Sequence, residues 1–235
     1  LPGARIARID ADSTRGVGEL ERQLAAVHGG EVDVLVGTQI LAKGHDFRRV
    51  TLVAAVDPDG ALFSSDFRAP ERLFALLMQA AGRAGRDAAQ AARSEMWLQT
   101  TTPGHPLYAA LARHEYEAFA QSQLDERRAA GLPPFTHLAL VRAEAREAAV
   151  AAAFLREAAS ALQAEVDPGV VKVYAPVPPA LARIADVERV QMLVESASRP
   201  ALQRTLAGWL PGLAALRARH KGVIRWAVDV DPLAI

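Results

Sequence analysis

Residues 32–56 read VDVLVGTQILAKGHDFRRVTLVAAV. Two apolar runs, Val32–Val36 and Val50–Val56, flank a polar segment that opens with Gly37 and Thr38. Each run is long enough for a buried strand, and the second is rich in β-branched residues, which suit a sheet covered on both faces. Working outward, Ala4–Asp10 predicts another short strand. Gly18–His28 predicts a helix with Leu20, Leu24 and Val27 on one face, closed by Gly29-Gly30. Pro70–Ala84 predicts a second helix, and Ser94–Thr100 a further strand. Strands alternating with helices indicate a doubly wound, mostly parallel sheet.

The stretch Thr101-Thr102-Pro103-Gly104 reads as a boundary. It divides the chain into an α/β domain over 1–104 and a second domain over 105–235. The second domain is expected to open with one long helix, Pro106–Ala130. Gly131 and Pro133-Pro134 would end it. Strands are then predicted over His137–Ala145, Val170–Tyr174, Val190–Glu195 and Val223–Val230, with helices over Glu147–Ala164 and Pro200–His220. That order is β-α-β-β-α-β, the split-βαβ sandwich.

Composition narrows the function. With 51% hydrophobic residues and 27 basic against 27 acidic side chains, the chain is neither a disordered tail nor a polycationic coat. Contact with nucleic acid must then rest on a local patch. With no Cys among 235 residues, a disulfide framework, a thiolate zinc site and a cysteine nucleophile are excluded from the chain. No apolar run reaches the ~18 residues a membrane helix needs. A cytoplasmic protein is the expectation.

Two segments carry chemistry. The first, Gly37 to Phe47, leaves a buried strand through a glycine and presents hydroxyl, amide and ammonium groups. In open parallel sheets ligands sit beyond the carboxyl ends of the strands, and a Gly-Thr there can offer N–H groups and a hydroxyl to a phosphate. An ordinary strand–turn–helix with Thr38 as its N-cap is the competing reading. The second segment is Gln79-Ala80-Ala81-Gly82-Arg83-Ala84-Gly85-Arg86. Two guanidiniums one helical turn apart make an anion clamp, and the glycines let a partner come close. Arginines neutralising the dipole of a helix C-terminus are the alternative. Asp57 and Asp59, flanked by Pro58 and Gly60, shape a turn, with a metal pair as the competing reading.

In this order and spacing the two segments resemble motifs V and VI of superfamily 2 helicases. Asp57–Leu62, Asp66–Arg72, the QxxGRxGR end, His105-Pro106, Leu132–Phe135, Ala175–Pro178 and Val228–Pro232 narrow the resemblance to the primosomal protein N′ (PriA) family of replication restart helicases. The resemblance covers nearly the whole chain. It implies most of a RecA-like second helicase lobe, a partial and mostly parallel sheet, followed by an α+β βαββαβ C-terminal domain that binds DNA structure.

The resemblance also implies roles. Arg86 would be the arginine finger, with Arg83 beside it. Gln79, Gly82, Gly44 and Asp46 would face the nucleotide. Gly37, Thr38, Gln39 and Lys43 would meet DNA, Lys43 also lining the nucleotide-facing turn. Arg183 and Arg189, in a loop that is basic and aromatic in relatives, could meet phosphates. Here that loop lacks aromatics, so base stacking is not expected, and solvated edge charges are the alternative. Implied ligands are ATP and Mg²⁺ in an intact protein. Implied partners are forked and single-stranded DNA, single-stranded-DNA-binding protein and primosome or helicase-loading proteins.

No GxxxxGK[ST] loop and no acidic helicase box occurs in the 235 residues. The chain alone is therefore expected to hydrolyse no ATP. Relatives carry a cysteine-rich zinc insertion upstream, and the absence of Cys fits a chain that starts after it, or a relative that lost it. Two other readings stand beside this one: a non-catalytic fork-binding and protein-docking platform, and a stand-alone α/β domain with a chance GRxGR helix.

Overall fold

The computed structural model describes residues 2–10, 18–38, 50–84 and 94–235. They are mixed α/β and fall into two compact units, Leu1–Gln121 and Ser122–Ile235.

In the first unit, β1 (Ile6–Ile9) pairs in parallel with β2 (Val34–Gly37), with Ile9 opposite Gly37. The helix α1 (Glu19–His28) joins them. It ends where the sequence predicts: the Gly29 N–H donates to the Ala25 carbonyl, and Gly30 takes φ 77°, a left-handed conformation that suits a residue without Cβ. β3 (Leu52–Val56) pairs in parallel with β4 (Glu95–Gln99). Short α2 (Asp59–Leu62) and α3 (Ala69–Ala81) lie between them. The Asp66 carboxylate fixes the entry to α3, accepting from the Arg68 N–H at 2.9 Å and from Arg72 Nη1 at 2.8 Å. Leu73, Phe74 and Leu77 form one apolar stripe on α3, and they are at most 3% exposed. Met96, Leu98 and Ala55 from the strands complete this core.

The long helix expected over 106–130 is two helices, α4 (Pro106–Ala112) and α5 (Tyr116–Ala130). His114 breaks them with φ 56°, and the Glu115 N–H turns back to the Ala110 carbonyl at 2.9 Å. His is among the residues that tolerate the left-handed region. The break serves the core. Leu107 and Leu111 of α4 are buried, and the redirected start of α5 stacks Phe119 on Phe74 at 4.4 Å between ring centroids.

The second unit runs β5 (His137–Ala145), α6 (Ala148–Glu165), β6 (Lys172–Val173), β7 (Arg183–Ile184), β8 (Val187–Ser196), α7 (Arg199–Arg219) and β9 (Val223–Val230). The sheet order is β6-β8-β5-β9, all antiparallel, with β7 folded back on β8. Sequence reading missed β7 and started β8 three residues late. Alternation in β5 turns Ala139, Val141, Ala143 and Ala145 toward the helices. Phe154 of α6 and Leu213 of α7, both fully buried, fill the space these small residues leave. The Ser198 hydroxyl caps α7 by accepting from the Ala201 N–H at 3.3 Å. α7 runs on through Pro211, which lies on its exposed side.

Candidate functional site

Gly37 and Thr38 lie at the carboxyl end of β2, and both are exposed. Beside them β1 ends at Ile9, which is fully buried, and Asp10 carries an ion pair with Arg8. The end of this parallel pair thus presents a glycine and a hydroxyl to solvent beside a buried, ion-paired carboxylate. That is where an open α/β sheet takes its ligands. Gln39, Lys43, Gly44 and Asp46 lie outside the described residues.

At the end of α3, Ala81 is the last helical residue, three short of the expected end. Gly82 caps the helix with φ −67° and donates to the Met78 carbonyl at 3.0 Å. Arg83 and Ala84 continue as tighter i→i+3 turns, donating to Ala80 and Ala81. Gln79 is exposed and Arg83 half-buried. Both belong to the last turns of this helix end, Gln79 within α3 and Arg83 in the tighter turns after it. A Cβ on Gly82 would sit 3.5 Å from the Met78 carbonyl and 3.7 Å from that of Gln79, which is ordinary contact. Neither the backbone angle nor any close neighbour among the described residues requires glycine there. Arg86 lies outside the described residues.

A third feature escaped sequence reading. Asp59, 7% exposed, is the acceptor for five donors. Oδ1 accepts from Thr100 Oγ1 at 2.5 Å, Tyr108 Oη at 2.9 Å and Thr102 Oγ1 at 3.2 Å. Oδ2 accepts from the Thr101 N–H at 2.7 Å and Thr101 Oγ1 at 2.6 Å. The hydroxyls of Thr100 and Thr101, then the Thr101 N–H, hold the carboxyl well below the usual carboxylate range. Burial pushes the Tyr108 phenol up. One side chain of α2 thereby ties together the residues after β4 and the first turn of α4. The signal was the run of three threonines, which reads as a loop but supplies three hydroxyls to one acceptor. Among the described residues no group of three or more His, Cys, Asp or Glu could hold a metal ion.

In the second unit, Arg183 and Arg189 have carboxylate neighbours. Arg183 lies 3.3 Å from Asp186 and 3.6 Å from Glu188, and its Nε donates to the Ala185 carbonyl. Arg189 lies 3.5 Å from Glu144 on the facing strand. Its side chain is 28% exposed against 62% for Arg183, so Arg183 is the more accessible cation. Glu157 of α6 accepts from His220 at 2.7 Å and pairs with Arg219 at 2.8 Å, which ties the end of α7 to α6. No helix among the described residues is long and apolar enough to cross a membrane.

Residues 3–88 match the family model described as the helicase conserved C-terminal domain, and residues 128–233 match the primosomal protein N C-terminal domain. The replication restart protein PriA of Haemophilus influenzae is 42% identical over 232 residues, 99% of this chain and 31% of that protein. The Bacillus subtilis protein of the same name is 38% identical over 195 residues, 83% of this chain and 24% of its own. That of Treponema pallidum is 36% identical over 241 residues, all of this chain and 34% of its own. The chain spans about a third or less of the length of these curated relatives.

Proposed function

The chain belongs to the PriA family of replication restart proteins, matching its C-terminal part, and from that premise we propose what each unit does. The first unit is the second RecA-like lobe of an ATP-dependent 3′–5′ DNA helicase. The second is a split-βαβ domain that docks on stalled or branched forks. Together with a P-loop lobe they form a translocase that moves on single-stranded DNA at forks in the cytoplasm. It works with single-stranded-DNA-binding protein and helicase-loading proteins to reload the replicative helicase. The two parallel strand pairs support the first assignment, and the strand order β6-β8-β5-β9 with both helices on one face supports the second.

The observation that carries the reading is Gly82. A glycine at a helix end with φ −67° and room for a methyl group weakens the helix without serving any fold requirement among the described residues. Close approach of an anionic partner to the Gln79–Arg83 side gives it a purpose. ATP with Mg²⁺ is that partner, and its phosphate bond supplies the energy for movement. The groups present fit one side of a triphosphate. Among the described residues Arg83 supplies guanidinium charge and Gln79 an amide, with Gly82 next to them in the chain; the nucleotide-facing roles of Arg86, Gly44 and Asp46 rest on the resemblance. Gly37, Thr38, Gln39 and Lys43 hold the DNA backbone by phosphate contacts that position the strand without reading its sequence. Arg183, more than Arg189, adds a phosphate contact in the second unit.

The test uses a polypeptide that joins this chain to a P-loop lobe. Arg86→Ala should lower DNA-stimulated ATP turnover by about 10³ or more, while fork binding stays nearly unchanged. Arg83→Ala should lower it as well. Unaltered turnover in Arg86→Ala removes the finger role. The 235-residue chain by itself should show no DNA-stimulated turnover, and measurable turnover would overturn that part of the reading.

A further inference from the structure

Among the described residues four aromatic side chains are largely exposed: Phe63 at 62%, Trp97 at 59%, Tyr116 at 56% and Tyr174 at 43%. Three of them are engaged by groups that discourage a ligand. Trp97 Nε1 donates to Glu95 at 2.7 Å, Tyr174 Oη donates to Glu195 at 2.8 Å, and Tyr116 tilts against Phe74 at 5.9 Å between centroids. Phe63 differs, because its ring neighbour is the imidazole of His105, 6.2 Å away and nearly perpendicular. We propose that Phe63 and His105 form a ledge that takes one unpaired base of single-stranded DNA, Phe63 by stacking and His105 by a hydrogen bond from Nε2. Such a site rests on the first unit being a DNA-contacting helicase lobe, and it adds a base contact to the phosphate contacts given above.

Both residues follow the carboxyl ends of paired parallel strands, Phe63 after β3 and α2, His105 after β4. Ligands of open α/β sheets gather at that end. The two segments are held in register by Asp59 of α2, which accepts from Thr100, Thr101 and Thr102 on the way to His105 and from Tyr108 just beyond it. The ledge is therefore set before a ligand arrives. The imidazole is held as well. Nδ1 accepts from the Leu107 N–H at 3.2 Å, so the neutral ring carries its proton on Nε2. That N–H has no hydrogen-bond partner among the described residues.

The surroundings favour a base over other occupants. Gly60, Ala61, Ser64 and Ser65 beside Phe63 in the chain are small and exposed, and an exposed ring among small residues offers area for one base. It lacks the contiguous apolar patch that a protein interface buries. Every base has a π-face, so stacking tolerates any sequence, as movement along a strand requires. Asp57 is exposed, and its charge reaches Tyr108. A phosphate would be repelled there, so the strand meets the ledge through a base, and His105 donates to an oxygen on the base edge. The Arg183–Arg189 stretch of the second unit, which has no aromatic residue, cannot supply this contact.

The test is an anisotropy titration of the 235-residue chain against a labelled thymidine oligomer and against an abasic oligomer of the same length. Phe63→Ala should weaken binding of the thymidine oligomer about tenfold and leave the abasic oligomer unaffected. Phe63→Trp should bind like the native chain. His105→Ser keeps a hydroxyl to cap α4 but loses the donor, and should cost about threefold on the thymidine oligomer alone. Over a salt series Phe63→Ala should shift affinity without changing its salt slope, because no phosphate contact is lost. A native chain that binds neither oligomer overturns both the ledge and the DNA-contacting reading of the first unit. Native binding that Phe63→Ala leaves intact overturns the ledge alone. So does an equal loss on the two oligomers, or a Phe63→Trp variant as weak as Phe63→Ala.

Discussion

Gly82→Ala separates a glycine kept for folding from one kept for a partner. Among the described residues the new methyl meets the Met78 and Gln79 carbonyl oxygens, at 3.5 and 3.7 Å, and a φ of −67° suits any L residue. Alanine recovers part of the roughly 1 kcal/mol that glycine costs a helix; at a cap, about 0.5–1 kcal/mol is expected. That corresponds to a local opening equilibrium about two- to fivefold less favourable. Hydrogen exchange of the amides of α3 in the isolated chain should slow by that factor. Gly131→Ala is the contrast. There φ is +64°, and the side chain should cost about 1–2 kcal/mol and speed exchange near the end of α5. In a polypeptide that also carries the P-loop lobe, Gly82→Ala should lower ATP turnover although it stabilises the helix. If Gly82→Ala instead loosens α3 as much as Gly131→Ala loosens α5, the fold needs that glycine and the argument for a partner at this helix end fails.

Other outcomes are expected. Asp59→Asn replaces an acceptor of five donors with a group that must itself donate, so the urea midpoint of the first unit should fall. Because the folded carboxyl titrates below its unfolded value, its contribution is fully present above about pH 4 and lost as pH falls through the folded value. The gap between native and variant midpoints should therefore close in acid; a gap independent of pH would contradict the assignment. A Cβ on Gly222 would meet Val150 Cγ1 at 2.9 Å, so Gly222→Ala should destabilise the second unit by about 1–3 kcal/mol. Adding Val150→Ala should restore part of that loss, and strictly additive unfolding energies would refute the clash. Leu213→Ala, at a fully buried site, should cost about 2–5 kcal/mol by equilibrium unfolding.

The elements legible in the sequence were those with both a periodic pattern and a marked end. His137–Ala145 and Val223–Val230 have the structure's own bounds as strands, because alternation and flanking turn residues agree there. The break at His114 was invisible, since α4 and α5 are both helix-forming and no Gly or Pro separates them. What decides it is the tertiary placing of Phe119 on Phe74. The β7–β8 hairpin was invisible for a related reason. Ala185, with φ 52°, opens its two-residue turn at a position where glycine is the usual signal. At the candidate site, the exposed Gly37-Thr38 strand end and the Gln79–Arg83 helix end were readable as motifs. The Asp59 cluster was not, because its donors lie more than forty residues away and only the fold assembles them.

The donors around Asp59 are all hydroxyls and an amide; no cation is among them. Dissolved salt screens attraction between exposed ions but leaves short contacts between a buried carboxylate and fixed dipoles nearly untouched. The exposed pairs Arg5–Asp33 and Arg22–Glu19 of the same unit should fade as ionic strength rises, whereas the tie between α2 and α4 should hold. High salt, which strips a protein from DNA, should thus leave the first unit's anchoring of α4 in place.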